Sequence, residues 1–318
     1  MNSGRRRREP AQGFKRSVTA LCVGAAVSTI VSLTPHVVMA QATDTSFAVS
    51  RNAVIDISLR SGRLIVRGGD RSSAELRTSR TDYRLRSAGV GVTLAIGTES
   101  GRNTRSSSSR GDVQLLVPRG VKLVVNGMTG DVSVSDVDGD VEVQVLSGDI
   151  EVRSLGGRAI LSTLSGDVRV NEVAGGLRLT TVSGDITASA VRGDLDVNTT
   201  SGDVVVNAGQ VRRLQFNSVS GDLTLEGTLV ADARLQLTTH SGDVMLRLPE
   251  NAGGQLEVST FNGTVSGGTM TLLPGTVGTR RDRSATLYEF GGGGSARITV
   301  STFNGDITLS RGGRRRDQ

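Results

Sequence analysis

Cysteine and histidine, which carry much of the nucleophilic and metal chemistry of proteins, are almost missing from this chain. Its 318 residues include one cysteine, Cys22, and two histidines, His36 and His240. One cysteine cannot close a disulfide within the chain. Cys22 and His36 lie in an N-terminal segment with the pattern of a signal peptide, so the mature chain would keep only His240, which cannot supply the usual zinc ligand sets or a Cys-His catalytic pair. We therefore expect no catalytic residues and no cofactor, and we predict that the protein is not an enzyme.

Aromatic residues are also scarce, at 3% of the chain with no tryptophan. A carbohydrate-active enzyme that works with carboxylates alone is the catalytic class that this composition leaves open. Such an enzyme would require carboxylates clustered on one face of the fold.

Long apolar runs are confined to the N-terminus. Basic residues at positions 5–8, 15 and 16 precede an apolar run from Val18 to Val31, and Val38-Met39-Ala40 follows. This order is typical of a signal peptide, so residues 1–40 are predicted to be removed. No later stretch approaches the roughly 18 apolar residues of a membrane span. We expect an exported protein without a transmembrane segment, located in the periplasm, on the cell surface or outside the cell.

Most of the net positive charge lies in that same segment. Six basic residues and Glu9 precede the predicted cleavage site, so the formal net charge falls from +6 to about +1 when the segment is removed. Nucleic-acid binding would need a basic face in the mature protein. We therefore expect no nucleic-acid partner.

A Gly-Asp repeat dominates the rest of the chain. Its glycines lie 18 residues apart at four successive steps, and then 19 and 21 residues apart. A fixed period in this range is typical of stacked supersecondary units. The aspartates of the repeat are Asp131, Asp149, Asp167, Asp185, Asp203, Asp222 and Asp243.

Alternating apolar residues flank each Gly-Asp pair, which favours strands that bury one face. A period of 18 residues accommodates two short strands and two turns, and neither strand buries its apolar face until coils stack about 4.8 Å apart. The sequence predicts an all-β fold, a parallel β-solenoid with about 18 residues and two strands per coil. The first inward column after the turns is Val132, Ile150, Val168, Ile186, Val204, Leu223, Val244, Val265 and Ile307.

Two further columns precede the Ser-Gly-Asp turns. The residue just before each turn is mainly apolar and is predicted to point inward; this column is Met128, Leu146, Leu164, Val182, Thr200, Val219, His240, Phe261 and Phe303. The residue before that carries a hydroxyl and is predicted to form an outward ladder; this column is Thr163, Thr181, Thr199, Ser218, Thr239, Thr260 and Thr302. The apolar neighbours of His240 favour a packed side chain over a catalytic base.

The repeat also predicts the domain organisation. Residues 43–115 keep strand patterns without the regular period, as expected of an N-terminal β cap, and residues 116–310 form the solenoid. Residues 266–296 interrupt the repeat and are interpreted as a loop or hairpin excursion. The basic residues 311–318 are predicted to form a disordered tail.

With these patterns in place, the chain resembles the bacterial DUF4097 family over roughly residues 45–310. The resemblance rests on Val117-Pro118-Arg119-Gly120, on the serial Ser-Gly-Asp strands, and on the closing Thr302-Phe303-Asn304-Gly305-Asp306-Ile307. Members are described as adhesins built of β-strand repeats. The resemblance therefore implies a β-solenoid, and it offers no catalytic residue to transfer.

The aspartate column is the candidate metal site. Carboxylates in successive coils would repel one another by about 1 kcal/mol per neighbouring pair even in water. Hydrogen bonds from turn N–H groups would offset this repulsion, and we favour this interpretation. The alternative is a calcium ladder, since Ca²⁺ binds several carboxylate and carbonyl oxygens, although the repeat matches the motif of calcium-binding rolls only in part. Its ligands would be Asp131, Asp149, Asp167, Asp185, Asp203, Asp222 and Asp243.

Two Arg-Gly-Asp tripeptides, at 110–112 and 192–194, have the sequence of receptor-binding loops. A repeat built on Gly-Asp generates this tripeptide wherever arginine precedes it. We therefore interpret both tripeptides as structural.

These observations predict an exported, non-enzymatic β-solenoid that acts as an adhesin, or as a scaffold and binding surface of the bacterial envelope, with a protein or glycan partner. The alternative is a periplasmic sensory or regulatory partner of an envelope protein, which would bind through residues 266–296. A calcium-binding repeat protein and a carbohydrate-active enzyme fit the composition less well.

Overall fold

The computed structural model describes residues 45–78, 80, 82–88, 91–97, 112–267, 270–272, 285–291 and 294–311. The predicted signal peptide, part of the 266–296 excursion and all but the first residue of the predicted tail lie outside this part of the chain. Within it the protein is all-β, and no helix is long and apolar enough to cross a membrane.

Twenty-four strands make up the described chain. In chain order they are β1 (Thr45–Ala48), β2 (Val54–Ser61), β3 (Arg63–Gly69), β4 (Ser73–Thr78), β5 (Tyr83–Ala88), β6 (Gly91–Ile96), β7 (Asp112–Pro118), β8 (Lys122–Thr129), β9 (Val132–Val137), β10 (Val141–Ser147), β11 (Ile150–Leu155), β12 (Ala159–Ser165), β13 (Val168–Val173), β14 (Leu177–Ser183), β15 (Ile186–Ser201), β16 (Val204–Ser220), β17 (Leu223–Ser241), β18 (Val244–Leu248), β19 (Gly254–Asn262), β20 (Val265–Ser266), β21 (Met270–Leu272), β22 (Thr286–Phe290), β23 (Ala296–Asn304) and β24 (Ile307–Arg311).

The strands form two rows of parallel neighbours. The first row follows the Gly-Asp turns and runs through β3, β9, β11, β13, the first parts of β15, β16 and β17, and then β18 and β24. The second row precedes those turns and runs through β2, β8, β10, β12, β14, the last parts of β15 to β17, and β23. Pairs such as Ile150 with Val168 are 18 residues apart, which confirms the predicted solenoid with two strands per coil.

Apolar side chains of both rows fill the space between them. The predicted inward column from Val132 to Val244 is buried, at 1% exposure or less. Phe216, in the second row, is the largest of the fully buried side chains. Because each coil buries its apolar face only against its neighbours, stability here comes from the stacking of coils.

The orientation predicted for the two columns before the turns was wrong. Thr163 is 3% exposed, whereas Leu164 is 47% exposed, and the same inversion recurs along the stack. The inward alternation of Ala159 and Leu161 continues to Thr163, whose buried hydroxyl donates a hydrogen bond of 3.2 Å to the carbonyl oxygen of Ser165. Strand alternation thus places the threonine inside and the apolar residue in solvent.

Both ends of the stack depart from chain order. The coil of β2 and β3 lies between the coil of β8 and β9 and the later strands β6 and β7. At the other end, β23 and β24 lie between β17 and β18 on one side and β19 and β20 on the other. Antiparallel strands follow at both ends. At one end β4 pairs with β7 and β5 pairs with β6; at the other end β22 pairs with β19 and β21 pairs with β22.

Candidate binding surface

An exposed apolar column runs along the second row. Each member directly precedes a Ser-Gly-Asp turn, or is the Phe of a Phe-Asn-Gly variant. The flanking residues are paired in register from coil to coil, so its nine members are neighbours in space. Seven of them are large hydrophobic side chains with 42% to 79% of their surface exposed. We call this column the apolar stripe; in stack order it consists of Met128, Leu146, Leu164, Val182, Thr200, Val219, His240, Phe303 and Phe261.

Aromatic rings form one end of the stripe. The ring of His240 stacks on that of Phe303 with centroids 5.0 Å apart, and Phe303 stacks on Phe261 at 4.8 Å. Phe261 is the outermost ring and is 79% exposed. The antiparallel strand β22 begins at Thr286, which pairs with Val258 of β19. β22 therefore does not extend alongside Phe261. His240 is thus exposed on the stripe and stacked on a ring, whereas the sequence predicted an inward, packed side chain.

An uncharged column lies beside the stripe, two residues earlier on each strand. It consists of Asn126, Gln144, Ser162, Thr180, Asn198, Asn217, Thr238, Ser301 and Ser259. Charged side chains on this face begin two residues further away, where Arg178 pairs with Asp196 at 3.0 Å. The stripe and its neighbouring column therefore form a face of nine coils without charge, apart from any charge on His240.

The aspartates lie on the adjoining turns and form a hydrogen-bonded chain. In each coil one carboxylate oxygen accepts a hydrogen bond from the backbone N–H of the aspartate in the next coil, over distances of 2.8 to 3.3 Å. The chain continues beyond Asp243 to Asp306 and ends on Thr264, whose N–H and hydroxyl both donate to the Asp306 carboxylate. These donors offset the repulsion between stacked carboxylates.

No cluster of three or more metal-ligating side chains occurs among the described residues. The predicted calcium ladder on Asp131, Asp149, Asp167, Asp185, Asp203, Asp222 and Asp243 stays a prediction. Of the two Arg-Gly-Asp tripeptides, 192–194 is exposed within β15 and Gly193 has a φ of 90°. The other tripeptide is described only from Asp112 onward.

Asp306 has the clearest electrostatic signature in the aspartate chain. Hydrogen bonds from the Thr264 backbone and hydroxyl lower its pKa below the usual value. A carboxylate with a lowered pKa stabilises the fold above its unfolded-state pKa of about 3.9, and this contribution is lost as pH falls through the folded-state pKa.

We therefore predict that Asp306→Asn lowers the urea midpoint of unfolding at neutral pH, because the amide keeps one acceptor but loses the charge. The difference from the parent protein should shrink as the pH falls below about 4 and vanish near pH 2. Urea unfolding followed by circular dichroism at several pH values measures this. An equal difference at all pH values would contradict the assignment.

One ion pair with a buried arginine gave no sequence signal. Arg80 is 3% exposed and donates hydrogen bonds of 2.9 and 2.7 Å to Asp82, and another of 2.8 Å to the carbonyl oxygen of Ser61. These contacts lower the pKa of Asp82, with the hydrogen bond from Arg80 as the largest cause. Arg80 lies in the segment without a regular period, so nothing marked it as buried.

Taken together, the in-register coils define an all-β protein with a β-solenoid-like fold. The model of a family described as Toastrack DUF4097 matches residues 100–197 and 191–310, which together span more than half of the chain. The chain therefore belongs to the DUF4097 family, as its sequence patterns indicated.

Comparisons with individual proteins add little to this. None of the curated proteins matches the chain significantly. A putative adhesin from Bacteroides fragilis NCTC 9343 is 12% identical, with 84% of this chain and 96% of that one covered and a TM-score of 0.40. A putative cell adhesion protein from Clostridium sporogenes ATCC 15579 is 10% identical, with 85% and 99% covered and a TM-score of 0.25. At such low identity and TM-score, neither structure bears on what this chain binds.

Proposed function

We propose that the protein is an exported, non-enzymatic β-solenoid that acts as an adhesin-like binding surface of the bacterial envelope, and that the apolar stripe is the surface that binds. The observation that carries this proposal is the stripe itself. Scattered exposed apolar residues are ordinary on soluble proteins, but a contiguous apolar patch bordered by polar residues is typical of an interaction site.

The polar side chains of the same face support binding rather than catalysis. The aspartate carboxylates beside the stripe accept hydrogen bonds from the chain's own backbone. His240, the histidine within the described residues, stacks on Phe303. The stripe thus combines apolar contact area with neighbouring hydroxyls and amides, which suits a protein or glycan partner. Export is part of the proposal because residues 1–40 have the pattern of a signal peptide.

We predict that Leu164→Lys weakens binding to envelope particles at least tenfold, since a lysine within a desolvated interface loses hydration without gaining a partner. The measurement is co-sedimentation of the purified protein with envelope particles isolated from the producing bacterium. Val205→Lys is the matched control, because Val205 lies on the outer face of the first row and is 45% exposed, against 47% for Leu164.

Three outcomes decide the proposal. Saturable binding that Leu164→Lys removes and Val205→Lys keeps supports the stripe as the binding surface. Equal loss with both variants, or no binding by the parent protein, contradicts it. Release of sugar from the particles that depends on the protein would favour the carbohydrate-active alternative. Far-ultraviolet circular dichroism should show the same β-structure in all three proteins.

A further inference from the structure

We infer that the partner of the apolar stripe is a second copy of this chain, packed face to face with the two stripes in contact. This inference rests on the proposed function in that it takes the same surface as the interface. It adds the identity of the partner, and with it a two-fold symmetric dimer in which each copy covers the hydrophobic column of the other.

The size of the face fits a dimer. Nine coils at about 4.8 Å per step give a stripe about 38 Å long. The uncharged column lies two residues, about 7 Å, from the stripe, so with its side chains the face is about 13 Å wide. Each copy would then bury about 500 Å², or about 1,000 Å² in total, which is the lower limit expected of a specific interface.

The two columns in contact are themselves neutral, since the stripe and its neighbouring column contain no Asp, Glu, Lys or Arg. The exposed turn aspartates line one margin of the stripe and stay outside the contact, in solvent. The pair of Arg178 and Asp196 lies at the opposite margin, where its two charges compensate each other. At its other end the stripe stops beside Arg60, which follows Leu59 in β2 and lies in register with Met128.

The succession of side chains favours an antiparallel arrangement. Side-chain bulk falls toward Thr200, the middle member of the nine, from Met128 at one end and from Phe261 at the other. A two-fold axis at the coil of Thr200 places the Met128 thioether of one copy against the Phe261 ring of the other, a favourable sulfur–aromatic contact. Parallel packing would instead place His240 against its own copy.

Sedimentation velocity of the purified protein, without envelope particles, tests the inference. The parent protein should sediment as a dimer at micromolar concentration, and so should Val205→Lys. Leu164→Lys should raise the dissociation constant at least tenfold, because each copy would bury a lysine in the contact. Two results would overturn the inference. One is a parent protein that stays monomeric over a hundredfold range of concentration, and the other is a dimer that Leu164→Lys leaves intact.

Cross-linking tests the arrangement in a background that carries Cys22→Ser. With a short bismaleimide, Thr200→Cys should cross-link to its own copy, and Met128→Cys should cross-link to Phe261→Cys in a mixture of the two. Efficient cross-linking of Met128→Cys to itself would overturn the antiparallel packing.

The two proposals fail differently. A monomer that still binds envelope particles through Leu164 would overturn the dimer and leave the proposed function in place. A parent protein that dimerises, but whose binding to the particles is not changed by Leu164→Lys, would overturn the proposed function and leave the dimer in place.

Discussion

Replacing Gly184 with alanine should lower the stability of the protein by on the order of 3 kcal/mol. Gly184 has a φ of 129°, a conformation that other residues rarely adopt. An added Cβ would lie 2.7 Å from the carbonyl carbon of Gly166 in the preceding coil, and closer still to its oxygen. The backbones of successive coils meet at this corner, so the clash cannot be relieved by rotating a side chain. Urea unfolding followed by circular dichroism measures the loss.

Gly209→Ala is the matched control for this prediction. Gly209 also lies within the repeat, but the nearest atom to an added Cβ is the Cγ of Arg192 at 3.7 Å, an ordinary contact. The substitution should leave stability unchanged or raise it by about 0.5 kcal/mol, because alanine lowers the entropy of the unfolded chain. If the two variants unfold at the same urea concentration, the close approach of the coils at Gly184 is wrong.

Ending the chain after Phe290 should lower the unfolding temperature by about 10 °C or more. The truncation removes β23 and β24, which lie inside the stack and pair with neighbours on both sides. Ile298, Val300 and Ile307 in these strands are buried, at 1% exposure or less. Their loss leaves a gap between the coil of β17 and β18 and the outer strands β19 and β20. The outer strands β19 and β20 then lose their parallel partners.

Ending the chain after Arg311 is the control, since it removes none of the described strands and should leave the unfolding temperature unchanged. A peptide of residues 294–311 added to the shorter chain should bind in the gap and restore much of the lost stability, because binding to the folded state raises its stability. Unfolding of both truncated chains at the temperature of the parent protein would contradict the interior position of the last coil.

Much of the solenoid was predictable because its signal is repeated. The Gly-Asp period and the alternating apolar residues recur in successive coils from Asp131 to Asp243, so a local error is averaged over many copies. The inward column from Val132 to Val244 and the spacing of two strands per coil followed directly from this repetition. The Asp306 contact with Thr264 fits the same scheme, in which the next coil donates to each carboxylate.

The orientation of the stripe was harder to predict because hydrophobicity and strand alternation disagree at the turn. Leu164 is apolar and Thr163 is polar, so composition alone places the leucine inside. The structure follows the alternation, and the buried threonine hydroxyl donates to the carbonyl oxygen of Ser165. Val145 occupies the same buried position in the neighbouring coil without a hydroxyl, so strand alternation determines which residue faces solvent.

The order of the end coils was not predictable from the period. A repeat read along the chain implies that each coil stacks on the previous one, although the turn after β19 has Thr264 where the turn after β23 has Asp306. The position of β23 between β17 and β19 depends on pairing between strands that are far apart in sequence. The antiparallel strand β22 closes this end of the second row, where it covers an otherwise open edge.

Thiol labelling of Leu164→Cys and Thr163→Cys, each in a Cys22→Ser background and at concentrations where the protein is monomeric, tests most directly whether the apolar column faces solvent. The structure predicts that the cysteine at 164 reacts at nearly the rate of a free thiol, while the cysteine at 163 reacts only when the protein unfolds. Fast labelling at 163 with protection at 164 would show that the apolar column is part of the core, and would remove the basis for the stripe as a binding surface.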